Sequence, residues 1–86
     1  MPSLRVEVSA TAERQLRGLP REDQLRVVRA IGRLAEEPHP RGCRKLAGYR
    51  DVFRIRVGLY RVLYSVDRAK IVVVILKVGH RKDVYR

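Results

Sequence analysis

Two stretches of the chain alternate apolar and polar residues with period two, separated by a two-residue gap. They are Val52-Phe53-Arg54-Ile55-Arg56-Val57 and Tyr60-Arg61-Val62-Leu63-Tyr64, with Gly58-Leu59 between them. Such alternation marks half-buried strands. Gly58 at the first turn position predicts a type II′ connection, because that position needs φ > 0. The short loop fixes the register. Val57 should face Tyr60, Arg56 should face Arg61, Ile55 should face Val62 and Phe53 should face Tyr64. One side then carries Phe53, Ile55, Val57, Tyr60, Val62 and Tyr64, and the other carries Arg54, Arg56 and Arg61.

Other patterns flank the hairpin. Leu4-Arg5-Val6-Glu7-Val8 alternates and reads as a first strand. Ser9 is a good N-cap for a short helix with Ala12, Leu16 and Leu19 on one side, ending near Gly18. Pro20 opens a second helix, with Glu22 and Asp23 at its positive N-terminal end. Its core stripe is expected from Leu25, Val28, Ile31 and Leu34, widened by Ala35. Pro38 and Pro40 end it. Arg44-Lys45-Leu46 reads as a very short strand or an arm. Asp67-Arg68-Ala69 suggests a second turn. The run Ile71-Val72-Val73-Val74-Ile75-Leu76 suggests a central strand covered on both faces and ended by Gly79. The reading is an α+β fold, one domain over residues 1–86, in the order β-α-α-β-β-β. Two N-terminal helices should pack on one face of a mainly antiparallel sheet, leaving Arg54, Arg56 and Arg61 on the other.

Charge then changes the picture. The net charge is +11 over 86 residues. Residues 1–40 hold seven arginines against six acids, while residues 41–86 hold thirteen basic residues against three acids. The first part reads as scaffold with balanced surface charge. The second reads as a surface for a polyanion, nucleic acid above all. Two arginines directly opposed across strands destabilise a sheet, and an anionic partner would remove that cost. The single cysteine, Cys43, excludes a disulfide framework and reads as a free thiol in a reducing, cytoplasmic compartment. No signal peptide is evident, and the longest apolar run is far shorter than the ~20 residues a membrane helix needs.

Candidate chemistry is sparse. No metal-ligand spacing, phosphate-binding glycine loop or Ser/His/Asp set occurs, so no cofactor is expected. What remains is a group of cations with one imidazole, His80, and one phenol, Tyr85. Metal-free RNA cleavage by a ribose 2′-OH needs a base, positive charge on the phosphorane and an acid for the departing 5′-oxygen. Arginine supplies the charge well but does not give up its proton. Imidazole exchanges protons most readily near neutral pH, so His80 is the best-suited base or acid. A phenol such as Tyr85 serves where nearby cations favour its anion.

The strings Phe53–Tyr64 and Val78-Gly79-His80-Arg81-Lys82-Asp83-Val84-Tyr85, with the element order, resemble the RelE toxins of the RelE/ParE toxin–antitoxin superfamily. The resemblance implies a metal-independent endoribonuclease that cuts messenger RNA in the ribosomal A site and leaves a 2′,3′-cyclic phosphate. It implies catalytic or phosphate-stabilising roles for Arg54, Arg56, Arg61, His80, Arg81 and Tyr85, and RNA and rRNA contacts by Arg44, Lys45, Arg50, Lys82 and Arg86. It also implies neutralisation by an acidic RelB-like antitoxin, with operator DNA bound only through that complex and no membrane. The strand cations are arginines here, where the best-known relatives have lysines, so a base role passes to His80 or Tyr85. Two alternatives stay open. One is a ParE-like inhibitor of DNA gyrase without nuclease activity; the other is a non-catalytic RNA- or ribosome-binding module.

Overall fold

The computed structural model describes residues 4–80. Strand β1 (Arg5–Val8) leads into helix α1 (Ala10–Arg17), then helix α2 (Arg21–Arg33). Four strands follow: β2 (Arg44–Lys45), β3 (Val52–Val57), β4 (Tyr60–Asp67) and β5 (Val72–His80). They form one five-stranded sheet in the order β1-β5-β4-β3-β2. β1 pairs with β5 in parallel, and the other neighbours are antiparallel. The α+β reading and the element order hold, with the Arg44–Lys45 segment as a short extra strand.

The hairpin register is the expected one, from Phe53 opposite Tyr64 to Val57 opposite Tyr60. Gly58 takes φ +59° at the first turn position. Ser9 caps α1, accepting from the Ala12 amide at 3.0 Å. Its hydroxyl donates in turn to the Leu76 carbonyl at 2.9 Å, and its amide donates to Ile75 at 2.9 Å. The cap therefore ties the start of α1 to the middle of β5. Further along, the Gln15 side-chain oxygen accepts the Val78 amide at 2.7 Å. β1 pairs only with Val72–Ile75, so Gln15 takes the place of a strand partner beyond its end.

The core lies between the helices and one side of the sheet. Leu16, Val27, Ile31 and Leu34 pack with Ile55, Val62, Tyr64, Val73, Ile75 and Val78. The expected stripe on α2 needs correction: Leu25 and Val28 are each 47% exposed, whereas Val27 is fully buried. Residues three apart drift around a helix, since each turns through ~100°. Over the nine residues from Leu25 to Leu34 the drift reaches about half a turn. The buried side is instead Val27, Ala30, Ile31 and Leu34, the i, i+3, i+4, i+7 set.

Two other expectations shift. Asp67 belongs to β4 and pairs with Val72, so the connection is residues 68–71. The Asp67 carboxylate accepts the Lys70 amide at 3.1 Å within it. Gly79 does not end the last strand, which continues through His80.

Tyr64 is fully buried. Its hydroxyl donates to the Pro38 carbonyl at 2.7 Å and lies 3.2 Å from the Cys43 sulfur. With the phenol proton given to Pro38, the thiol is the donor to the phenol oxygen. Burial, then the contact with Cys43, raises the Tyr64 pKa. Cys43 is thus a half-buried structural thiol.

Candidate functional site

Strand pairing lays out the open side of the sheet in rows. Directly paired residues share a face. Arg44 pairs with Arg54, Arg54 with Leu63, and Leu63 with Lys77. The next row is Arg56, Arg61 and Gly79. Strands lie ~4.8 Å apart and alternate residues ~6.8 Å apart along a strand, so the two rows form a field ~14 Å by ~7 Å, long enough to follow a stretch of phosphodiester backbone. Arg56 is exposed, and Arg54 and Arg61 are half-buried. Leu63, only 7% exposed, lies between Arg54 and Lys77, where long cationic side chains can cover apolar surface with their stems.

Two like-charge pairs stand directly opposed here, Arg56 with Arg61 and Arg44 with Arg54. Such pairs oppose sheet pairing, and the cost falls when an anion binds between them. Among the described residues, the acids of this face are Glu7 and Asp67, paired through Val74 and Val72 respectively and so remote from the arginine rows. Forked guanidinium donors suit the non-bridging oxygens of a phosphate and of a phosphorane with added negative charge.

Lys77 is the residue the pattern reading missed. Leu63 faces Lys77 while Tyr64 faces Ile75, so Leu76 is an extra residue on β5 and the parity flips there. The flip shows in the burial and not in the local sequence pattern. Val73, Ile75 and Val78 are all buried, at spacings of two and then three. Without the flip, Lys77 would point into the core beside Ile75. The bulge is held by the Ser9 and Gln15 contacts, so the residues that cap and line α1 also aim Lys77.

The remaining candidates are placed differently. His80 pairs with Tyr60, on the helix side of the sheet, and its ring lies edge-on to Tyr60 at 6.3 Å. A base or acid at His80 would have to act beside the arginines, but it does not share their face: Gly79, not His80, is the residue opposite Arg61. Tyr60 donates to the Asp23 carboxylate at 2.8 Å, and that hydrogen bond, ahead of burial, raises its pKa. Lys45 pairs with Phe53 and takes the helix-side parity. Arg50 lies in a hollow with Asp51, Asp67 and Arg68, at the end of the sheet away from the Gly58 turn. Lys45 therefore does not join Arg44 on the open face, and Arg50 lies away from the Arg56–Arg61 pair. Arg81, Lys82, Tyr85 and Arg86 lie outside the described residues.

Comparison with known proteins agrees with this architecture. Residues 6–85 match the family model described as the ParE toxin of the type II toxin–antitoxin system parDE. The chain is 44% identical over 85 residues to toxin RelG of Mycobacterium tuberculosis, covering 94% of each protein. Among solved structures it is similar to the toxin–antitoxin complex RelBE2 of M. tuberculosis, with TM-score 0.81 and 39% identity, covering 96% of this chain and 97% of that one. It is similar also to the archaeal RelE–RelB complex of Pyrococcus horikoshii OT3, with TM-score 0.82 and 33% identity, covering 95% and 99%.

Proposed function

We propose that this chain, which belongs to the RelE/ParE superfamily of type II toxin–antitoxin toxins, is an endoribonuclease that cuts messenger RNA in the ribosomal A site. The observation that carries the reading is the opposed pair Arg56–Arg61 beside the Arg44–Arg54–Leu63–Lys77 row, on the side of the sheet away from both helices.

In the reaction the ribose 2′-oxygen attacks the adjacent phosphorus and the bond from phosphorus to the 5′-oxygen breaks. The products are a 2′,3′-cyclic phosphate and a 5′-hydroxyl. The 2′-proton leaves to a base, and the 5′-oxygen gains a proton from an acid. Arg54, Arg56 and Arg61 hold the non-bridging oxygens and stabilise the phosphorane, so this chain's own cations supply the charge the step needs. They do not accept the 2′-proton, because guanidinium stays protonated. The family likeness gives the acceptor role for that proton to Tyr85, with Arg81 as a further phosphate-binding cation. The partner is a RelB-like antitoxin, as in the two similar complexes, and an acidic one, to complement the +11 charge of this chain. Operator DNA is then met only through that complex.

The test is primer extension on ribosome-loaded message with wild type, Arg61→Ala and Arg56→Ala. Loss of the new 5′-hydroxyl ends in both variants, with unchanged circular dichroism, is the expected result. Equal cleavage by all three proteins would refute the assignment. The ParE description of the matching family model favours a second reading, inhibition of DNA gyrase. A supercoiling assay inhibited equally by wild type and both variants, with no RNA ends formed, would establish it. Salt-sensitive RNA binding without either activity would leave a binding module.

A further inference from the structure

The open side of the sheet runs on past the arginine rows. The next row is Val52 opposite Ser65 and Ser65 opposite Val74, and it carries no charge. The row after it holds Asp67 opposite Val72. Here the sheet ends at a hollow of about 520 Å³ whose lining includes Arg50, Asp51, Ser65, Asp67 and Arg68. Arg50, Asp51 and Arg68 are exposed, and Asp67 is half-buried. Two guanidinium groups and two carboxylates therefore line one hollow. Among the described residues the ion pairs are Arg5–Glu7 and Arg17–Glu13, and neither lies here. Opposite charges that share a hollow without closing on each other leave donors and acceptors available side by side.

The backbone holds Asp51 in this place. It takes φ +53°, a left-handed conformation that aspartate and asparagine adopt more readily than most side chains. Its carbonyl accepts the Val66 amide at 3.1 Å, which fastens the turn before β3 to β4. Asp67 is already engaged, since its carboxylate accepts the Lys70 amide at 3.1 Å. The Asp51 carboxylate accepts no hydrogen bond among the described residues. Four residues separate Arg56 from Val52 and Arg61 from Ser65, about 14 Å at ~3.4 Å per residue, and Asp67 is ~7 Å further on. With ~3.4 Å per stacked nucleotide, and more where bases splay apart, the hollow lies a few nucleotides along a strand from a phosphate at the Arg56–Arg61 pair.

We propose that this hollow takes a guanine base of the RNA strand that lies on the arginine rows, beyond the two nucleotides that flank the cut. Guanine presents two adjacent donors, N1–H and the N2 amino group, and two adjacent acceptors, O6 and N7. Adenine, cytosine and uracil each offer a carboxylate a single donor group. A carboxylate accepts the guanine donor pair with both oxygens, and a guanidinium donates to the acceptor pair in the same bidentate way. Asp51 supplies the first contact, and Arg50 or Arg68 supplies the second. Tyr49, next to Arg50 in the chain, is 62% exposed, and a ring beside a base site adds stacking. A phosphate suits the hollow poorly, because Asp51 and Asp67 repel it. That the strand is a message being cut rests on the ribonuclease reading; the choice of base does not.

The probe is a ten-nucleotide 2′-O-methyl RNA, which binds without being cut. A strand of uridines with one central guanosine is compared with an all-uridine strand, by fluorescence anisotropy on the full chain at fixed salt. A bidentate base contact is worth roughly 5- to 150-fold, so the guanosine strand should bind at least ~5-fold more tightly. Inosine, which lacks the N2 amino group, should keep only part of that advantage, and adenosine none. Asp51→Asn keeps the left-handed turn, and Asp51→Gly suits it as well while removing the side chain. Both variants should abolish the preference and leave the all-uridine strand bound as before or slightly more tightly, because the chain has become more positive. Arg50→Gln/Arg68→Gln should cost the guanosine strand more than the all-uridine strand. No preference for guanosine in the wild type, a preference retained by both Asp51 variants, or equal tightening of both strands would overturn the proposal; the last is what a plain cationic surface gives. On ribosome-loaded message, cut sites should carry guanosine at one fixed distance from the new 5′-hydroxyl end with wild type and not with Asp51→Asn. Cut sites without it, beside an intact strand preference, would overturn the placement on the message and assign the base to ribosomal RNA. If the chain cuts no RNA, the binding arm still decides the hollow, and only the ribonuclease reading falls.

Discussion

On the helix side of β4, Tyr64 gives its hydroxyl proton to Pro38 and Tyr60 gives its own to Asp23. On the other side of the same strand, Arg61 faces Arg56, and Leu63 lies between Arg54 and Lys77. One side satisfies its polar groups internally and buries Val62, Tyr64 and Val66. The other sets like charges against each other. The cost of those opposed charges falls when an anion binds between them. The contrast separates residues that hold the fold from residues suited to an anion, and substitutions should separate the same way.

The largest effects should fall on opposite measurements. Removing one preorganised donor from a phosphorane site costs on the order of 10²–10³-fold in rate, so Arg61→Ala should lose that much cleavage. The same change should cost far less thermal stability than a core truncation, since Arg61 is only half-buried. Leu34→Ala should do the reverse. Leu34 is 1% exposed, and truncating a buried leucine costs about 2–5 kcal/mol of stability. Cleavage per folded molecule should stay at the wild-type level. A thermal melt beside a single-turnover cleavage assay reads both, and an Arg61→Ala protein that melts early would break the contrast.

Lys77 sharpens it on a smaller scale. Lys77→Gln should weaken RNA binding, and the slope of log affinity against log salt should fall by about 0.7, the share of one single-strand phosphate contact. Lys77→Arg should restore both. An unchanged slope would remove Lys77 from the site.

How far the sequence carries this picture depends on what fixes each feature. The hairpin faces were readable because two local facts determine them, strict alternation in Phe53–Val57 and a two-residue turn at Gly58. The α2 stripe misled because spacing-three apolar residues were present on two sides of the helix, and only packing selects Val27 over Val28. The Leu76 bulge depends on partners far away in the chain, Ser9 and Gln15, so its consequence for Lys77 and His80 was not visible locally.

Alkaline titration tests the helix side. Burial and the Cys43 contact raise the Tyr64 pKa, so the folded state keeps a proton that the unfolded chain begins to lose near pH ~10. The tyrosine's contribution to stability is therefore complete below that pH and declines as pH rises above it. Tyr64→Phe should cost about 1 kcal/mol at neutral pH, through the lost hydrogen bond to Pro38, and should flatten the decline. Urea midpoints at several pH values measure it. An equally steep decline in the variant would mean that other groups control alkaline unfolding.

The smallest expected effect is the most discriminating. His80 has the side chain best suited to proton transfer near neutral pH, yet its pairing with Tyr60 turns it to the helix side. Loss of a general base or acid typically costs ~10²–10⁴-fold, whereas His80→Asn should change cleavage by less than ~3-fold and leave its pH profile in place. The change should show instead near Tyr60, whose ring the imidazole meets edge-on, as a small drop in melting temperature. A large rate loss with a shifted pH profile would mean that the end of β5 turns over when RNA binds. Parity at Gly79 would then describe the free protein only, and the division of roles between the two faces would fail at the strand position opposite Arg61.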